Sequence, residues 1–158
     1  MEHFCTAIAG HLGVEPMPLT QFEVGLHIFS REISEAFFAD KVVLVEGVSD
    51  KAIVEAAFLA KGIDISANGI AVIDVGGKTK LDKPLFVLRH FEIPTLVVFD
   101  NDVNAKGKDA EHAKRRNRLL QRICGVKPED EQDYPVGSFK GGVVLEGNLE
   151  TYVKRMFG

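Results

Sequence analysis

Short apolar runs alternate with amphipathic stretches along this chain of 158 residues. Runs rich in β-branched residues predict buried strands, and apolar positions spaced three or four residues apart predict helices. The predicted strands cover 41–45, 70–75, 95–99 and 143–145. The predicted helices cover about 19–39, a stretch capped by Ser49 and ended by Gly62, a stretch that starts at Asp82, and about 108–123. This alternation predicts an α/β fold with a central, mainly parallel sheet of about four strands flanked by helices.

Length and composition predict one folded domain. Hydrophobic residues make up 46% and charged residues 27%, which are ordinary globular values, and the length suits a single core. Glycines and prolines near the start predict a lead-in segment over 1–18. The domain is then expected over 19–158, with a helical extension at about 19–39 and a core at about 40–152. A loop is expected from 125 to 140, where glycine, proline and acidic residues concentrate.

Several protein classes are disfavoured by what the chain lacks. No apolar run approaches the roughly 20 residues that span a bilayer, and the amino terminus does not resemble a secretory signal, so we expect no membrane partner. Cys5 and Cys124 are the only cysteines, which makes a reduced, cytoplasmic location the default. The five histidines are scattered, which argues against zinc.

Two acidic clusters at predicted strand ends are the strongest chemical feature. Glu46 and Asp50 follow the first strand, and Asp100 and Asp102 follow the third. In open α/β sheets, ligands bind beyond the carboxyl ends of the strands, so these four carboxylates would meet in one crevice if the strands are neighbours. Crowded carboxylates need a neutralising cation, and Mg²⁺ or Mn²⁺ suits a site made of oxygen ligands.

Each acidic residue also has a simpler interpretation. Asp50 would complement the positive end of a helix dipole, and Asp100 and Asp102 would belong to a turn. Glu46 is harder to explain in this way, because a carboxylate at the tip of a buried strand needs a partner to offset its desolvation.

The sequence resembles the Toprim domain, and within it the OLD (overcoming lysogenization defect) family of nucleases. The resemblance covers roughly 20–152 and rests on three stretches, 37–50, 72–78 and 99–102. It implies a Toprim (Rossmann-like) fold and metal-dependent endonuclease cleavage of DNA phosphodiester bonds with two Mg²⁺ or Mn²⁺ ions. It also implies that Glu46, Asp100 and Asp102 are catalytic residues and core metal ligands, with Asp50 supporting the second ion.

The resemblance extends to further residues and partners. Glu146 or Glu150 would complete a second metal site, although surface carboxylates near a helix start are an equal alternative. OLD proteins carry an ATPase domain ahead of the Toprim domain and a catalytic lysine beyond the core. This chain has no P-loop and does not securely supply that lysine. We therefore expect a Toprim-bearing fragment or a stand-alone relative, weakly active or inactive alone, whose oligomeric state stays open.

Basic residues offer candidate contacts to DNA. Lys78 follows Gly76-Gly77, where exposed amides would help it to bind a phosphate, although a solvated loop lysine is the more common case. Arg115, Arg118 and Arg122 share one face of the predicted basic helix and could follow a phosphate backbone, although a solvated helix face is again more common. That helix is expected to lie away from the strand tips.

The net charge of −4 disfavours tight nonspecific DNA binding by this chain alone. Two other functions also stay open. One is a catalytically silent Toprim module for DNA binding or dimerisation. The other is a receiver-like phosphoacceptor domain, which the arrangement of one Glu and a later acidic doublet disfavours.

Overall fold

The computed structural model describes residues 31–147. The predicted lead-in over 1–18, most of the predicted helix over 19–39, and Glu150 lie outside the described residues. The part of that helix that is described, α1 at Arg31–Ala36, is helical as predicted.

The described residues form one five-stranded sheet. The strands are β1 at Lys41–Val45, β2 at Ile70–Asp74, β3 at Thr95–Asp100, β4 at Gly137–Phe139 and β5 at Gly142–Leu145. Their order is β2-β1-β3-β5-β4. All neighbours pair in parallel except β4 and β5, which are antiparallel. The mainly parallel sheet is confirmed, and the number of strands is five rather than about four.

The strand that the sequence pattern misses is β4. Its three residues, Gly137–Phe139, lie in the stretch predicted to be loop, and they contain no apolar run or alternation that marks a strand. The strand forms because it pairs with the edge of β5, in the register Ser138 to Val143. The partner, rather than local sequence, therefore determines its conformation.

Helices cover both faces of the sheet. They are α2 at Val48–Ala60, α3 at Asp82–His90 and α4 at Lys108–Ile123, in addition to α1. Alternate residues of β1 point to opposite faces: Leu44 joins the core beneath α1, α3 and α4, and Val43 joins the core beneath α2. The predicted positions of these helices are confirmed, and α4 has the predicted bounds. None of the helices within residues 31–147 has the length and apolar character needed to cross a lipid bilayer.

The start of α2 differs from the prediction. Ser49 lies inside the helix, and Gly47 is its cap residue. The carboxylate of Asp50 reaches back and accepts a hydrogen bond from the Gly47 amide at 3.0 Å. Asp50 therefore has the local structural role that its simpler interpretation gave it, because it satisfies an amide that has no partner within the helix.

The chain order places a natural binding crevice beside β1. The chain passes from β1 to β2 on one side and then crosses to β3 on the other. The carboxyl ends of β1 and β3 therefore lie at the point where the strand order reverses, which is where open α/β sheets bind ligands.

Candidate functional site

The strand ends that carry Glu46 and Asp100 are adjacent. β1 pairs directly with β3, and Leu44 lies opposite Val97. The backbone amide of Asp100 donates a hydrogen bond to Oε1 of Glu46 at 2.8 Å. The predicted convergence of the two acidic clusters is therefore present in the structure.

A two-glycine turn brings a third element to the same crevice. Gly76 and Gly77 both have positive φ, at 70° and 129°, where residues with a Cβ are strained. The Gly77 amide donates to the main-chain carbonyl of Glu46 at 2.6 Å, which fixes the turn against the end of β1. The chain then enters a short 3₁₀ helix that begins with Lys78.

Lys78 points into the acidic crevice and not into solvent. Lys78 is only 9% exposed. The Nζ atom donates to the main-chain carbonyl of Asp100 and, at 2.6 Å, to the carboxylate of Asp102. It also lies 5.3 Å from the centre of the Phe99 ring. The interpretation of Lys78 as a solvated loop residue is therefore wrong.

Asn101 fixes the position of the Asp100–Asp102 segment. Its side chain is buried, and its Oδ1 accepts hydrogen bonds from the amides of Val103 and Gly147. The first bond closes a turn just after the strand, and the second reaches the end of β5. The two aspartates on either side of Asn101 lie at the crevice. Asp102 adopts a positive φ of 54°.

Asn117 of α4 supports this segment from below and was missed from sequence. It is fully buried, and its Nδ2 donates to the carbonyls of Asn101 and Asp133 at 2.8 and 2.7 Å. The signal was its spacing: Asn117 lies four residues after Ala113 and three before Leu120, on the apolar stripe of the helix. A polar residue on a buried stripe needs hydrogen-bond partners, and one partner of Asn117 is the main chain of Asn101, between the two aspartates.

Burial and mutual repulsion shift the protonation of the two strand-end acids. Burial, followed by the charges of Glu46, Asp50 and Asp102, raises the pKa of Asp100 to about 7. Burial also raises the pKa of Glu46, although the hydrogen bond from the Asp100 amide and the charge of Lys78 oppose the rise. A cation placed among these groups would favour their ionised forms.

The remaining predicted ligands lie around this pair. Asp50 accepts a hydrogen bond from the Gly47 amide at the start of α2, and its charge contributes to the raised pKa of Asp100. Glu146 is exposed and directly follows Leu145, the residue of β5 that lies opposite Asp100. It is therefore at the same edge of the sheet. Glu150 is outside the described residues.

The chemistry of these acidic side chains fits a divalent cation, but in this structure some of them are bound to other groups. The acidic side chains offer the oxygen ligands that Mg²⁺ and Mn²⁺ prefer. Within residues 31–147, however, no three His, Cys, Asp or Glu side chains are arranged as a metal site. One oxygen of Glu46 accepts from the Asp100 amide, and Asp102 is bound by Lys78, so two of the expected ligands already have partners.

A basic groove of about 780 Å³ opens next to the acidic crevice. Lys78 and Asp102 line one part of it, and Arg115, Arg118 and Arg122 line another. The three arginines therefore share a face, as predicted. The expectation that α4 lies away from the strand tips is wrong, because one groove contacts both.

Two of the three arginines are held by acidic residues of the loop after α4. Arg118 pairs with Asp133 at 2.6 Å, and Arg122 binds Glu131 through two nitrogens at 2.7 and 2.9 Å. Arg115 is exposed and forms no hydrogen bond or ion pair with another described residue.

Comparisons with known proteins agree with this architecture. The family model for the TOPRIM domain of overcoming lysogenization defect protein-like proteins matches residues 37–102, which include Glu46, Lys78, Asp100 and Asp102. An OLD nuclease of Thermus scotoductus (strain ATCC 700910 / SA-01) is 33% identical over 125 residues, which are 77% of this chain. The chain spans only 23% of the length of that relative.

Solved structures show the same similarity. The C-terminal region of the Xanthomonas campestris pv. campestris OLD protein is 29% identical with a TM-score of 0.55, over 72% of this chain and 55% of that one. The C-terminal region of the Burkholderia pseudomallei OLD protein is 25% identical with a TM-score of 0.57, over 75% and 59%. The predicted Toprim fold is confirmed.

Proposed function

This chain carries a Toprim domain of the OLD-like family, and from that premise we propose that it is a nuclease domain that hydrolyses DNA phosphodiester bonds with divalent metal ions. The observation that best supports the proposal is the hydrogen bond between the Asp100 amide and Glu46, which holds the ends of β1 and β3 together. The same crevice continues into a groove lined by arginines. The carboxylates and a basic groove that could bind phosphates are therefore contiguous.

Glu46, Asp100 and Asp102 would hold the first ion. Asp50 and Glu146, together with Glu150, would contribute to a second. A pair of Mg²⁺ or Mn²⁺ ions supplies a water of lowered pKa and stabilises the leaving oxygen. The raised pKa of Asp100, about 7, means that this ligand is only partly ionised near neutral pH without a cation. Ion binding would therefore release a proton from Asp100.

The groove residues would position the DNA. Arg115 has no ion-pair partner within residues 31–147, and Arg118 and Arg122 would exchange Asp133 and Glu131 for phosphates. Arginine is suited to this role because its planar fork of donors matches phosphate oxygens. The hydrogen bond from Asn117 to the Asn101 carbonyl links the helix that carries these arginines to the segment that carries the aspartates.

Partners beyond DNA are also proposals. The resemblance to OLD proteins implies an ATPase domain in a longer protein, and self-association is a further candidate. Among the described residues Cys124 is buried with a free thiol, which suits a reduced cytoplasm.

A catalytically silent DNA-binding module is the second candidate. One observation favours it: the contact between Lys78 and Asp102 closes part of the acidic crevice. The receiver-like alternative gains no support, since the matching family model is that of a TOPRIM domain and the similar solved structures are regions of OLD proteins.

The test is an assay on supercoiled plasmid in Mg²⁺, Mn²⁺ or EDTA. Nicked or linear product that needs the metal supports the nuclease. Plasmid binding by gel shift without any product favours the silent module. Neither binding nor product, both from the folded chain and from a longer protein that carries it, contradicts both proposals.

A further inference from the structure

Lys78 is the one basic side chain inside the acidic crevice among the described residues. Its ammonium contacts Asp102 at 2.6 Å and the main-chain oxygen of Asp100. An Nζ–oxygen distance of this length is that of a charge-assisted hydrogen bond. The ammonium is thus attached to two oxygens at the place where the proposed ions would bind.

Burial makes this contact more than an ordinary surface ion pair. Lys78 is 9% exposed, whereas its partner Asp102 has a 45% exposed side chain. The Nζ atom of Lys78 lies 5.3 Å from the centre of the Phe99 ring, and the Gly77 amide of the turn before it donates to the main-chain carbonyl of Glu46. The fold therefore holds the ammonium in the crevice, while Asp102 stays accessible from the groove.

An ammonium and a divalent cation cannot share the Asp102 carboxylate at low cost. Both would approach the same oxygens, and a unit positive charge repels a double positive charge strongly at about 4 Å in a partly buried site. One of them must move. Lys78 has an obvious destination, because it also lines the groove that contains the arginines.

We propose that Lys78 is a tethered cation that holds the Asp102 carboxylate until a divalent ion displaces its ammonium into the basic groove. This inference rests on the proposed function, because it requires a metal at the carboxylates. Lys78 is then a positioning residue before the metal binds. Once displaced, it adds a positive charge beside Arg115, where a phosphate would lie.

The direct test measures how fast individual lysine amines are modified in the wild-type protein. Reductive methylation with formaldehyde and cyanoborohydride is followed peptide by peptide by mass spectrometry, with and without saturating Mn²⁺. Lys80, which is exposed on the same 3₁₀ helix, is the matched control. We expect slow modification of Lys78 without Mn²⁺ and several-fold faster modification with it, while Lys80 stays unchanged.

A second measurement uses a variant. Lys78→Met keeps the stem and removes the charge, so the affinity for Mn²⁺ should rise by about tenfold or more because the competing cation is gone. Lys80→Met should leave the affinity unchanged. Titration calorimetry on proteins with wild-type circular dichroism gives both values. If Lys78→Met does not fold, the labelling of the wild type decides alone.

The outcomes separate this inference from the proposed function. Mn²⁺ binding with an unchanged or slower rate at Lys78 overturns the displacement but leaves the metal site intact. A folded Lys78→Met protein whose Mn²⁺ affinity is equal to or weaker than that of the wild type also overturns the displacement and leaves the metal site intact. A wild-type protein that binds no Mn²⁺ overturns the proposed metal site, and the displacement with it.

Discussion

The amide of Asp100 donates a hydrogen bond to Oε1 of Glu46 across 2.8 Å, joining residues that are 54 positions apart in the chain. This bond connects the ends of β1 and β3 and holds the Glu46 carboxylate against the main chain of Asp100. Because the side chain of Glu46 is held by the main chain of Asp100, the two acids form a unit. Changes to either should therefore affect cation binding at this edge.

The first prediction concerns Asp100 as a ligand. Asp100→Asn keeps the size and the backbone amide but removes the charge, so the affinity for Mn²⁺ should fall by at least about tenfold, or about 1.4 kcal/mol. Titration calorimetry measures it. Asp74→Asn is the matched control, since Asp74 ends the neighbouring strand β2. Equal affinity in wild type and Asp100→Asn would remove Asp100 from the site.

The second prediction concerns catalysis. Glu46→Gln preserves the oxygen that accepts from the Asp100 amide, so the fold should persist, while the charge that a metal needs is lost. Plasmid cleavage should drop to background, because a metal-dependent step is slowed by orders of magnitude when a ligand charge is missing. Gel assays over time measure the rate. Wild-type rates in folded Glu46→Gln would exclude this carboxylate from the mechanism.

The third prediction concerns pH and stability without metal. The folded-state pKa of Asp100 is raised to about 7, so the native state binds a proton that the unfolded chain has released. The contribution of Asp100 to the free energy of unfolding is therefore fully present below about pH 4, and it is lost as the pH rises through about 7. We expect the free energy of unfolding to be about 1–2 kcal/mol lower at pH 8 than at pH 5, after allowance for the partial exposure of Asp100.

Urea denaturation in EDTA at several pH values measures this difference. Asp100→Asn should flatten the profile, and Mn²⁺ should raise stability at pH 8 more than at pH 5. The same stability at both pH values for the wild type, with a flat profile in between, would show that Asp100 titrates normally.

The core helices and strands were predictable because their signals are local. The run Val42–Val45 is apolar and β-branched, and it forms a strand with the predicted bounds. The helical spacing of basic and apolar residues between Lys108 and Ile123 likewise identified α4. In contrast, β4 is only three residues long, without an apolar run, and depends on β5 for its conformation. Its existence is decided by tertiary pairing, which no local pattern reports.

The acidic half of the site was predictable for a similar reason. Parallel strands place their carboxyl ends together, so the sequence positions of Glu46 and Asp100 indicated their proximity. The direction of Lys78 was not predictable, because it depends on the dihedral angles of Gly76 and Gly77 and on the bond from Gly77 to Glu46. A turn built from two glycines has many conformations, and only the packed structure selects one.

The fourth prediction concerns Asn117. Asn117→Leu leaves the buried carbonyls of Asn101 and Asp133 without their donor, so the free energy of unfolding should fall by about 2–4 kcal/mol. Urea denaturation measures the loss. His112→Leu, on the exposed side of the same helix, should change stability by less than about 0.5 kcal/mol. A loss no larger in Asn117→Leu than in His112→Leu would show that these bonds add little.

The fifth prediction concerns how DNA is held. If Arg115, Arg118 and Arg122 contact phosphates, changing all three to Gln should weaken binding to many sequences alike. The slope of log affinity against log salt should decrease by about 0.9 for each lost contact with duplex DNA. Fluorescence anisotropy with a labelled duplex across a salt series measures the slope.

The single variants should not be equivalent. Arg115→Gln should decrease the slope of log affinity against log salt by the full value of about 0.9. Arg118 and Arg122 must first leave Asp133 and Glu131 to reach a phosphate, so their single variants should decrease the slope by less. Lys127→Gln, an exposed change outside the groove, is the control. An unchanged slope in the triple variant would place the DNA elsewhere on the domain.

The central claim is that the ends of β1 and β3 form a divalent-cation site. The most direct measurement is an anomalous difference map from a crystal soaked in Mn²⁺. We expect a peak among Glu46, Asp100 and Asp102, with oxygen ligands at about 2.0–2.2 Å and the Lys78 ammonium withdrawn from Asp102. A fully soaked crystal with Mn²⁺ bound only at other carboxylates, and Lys78 still on Asp102, would contradict the claim.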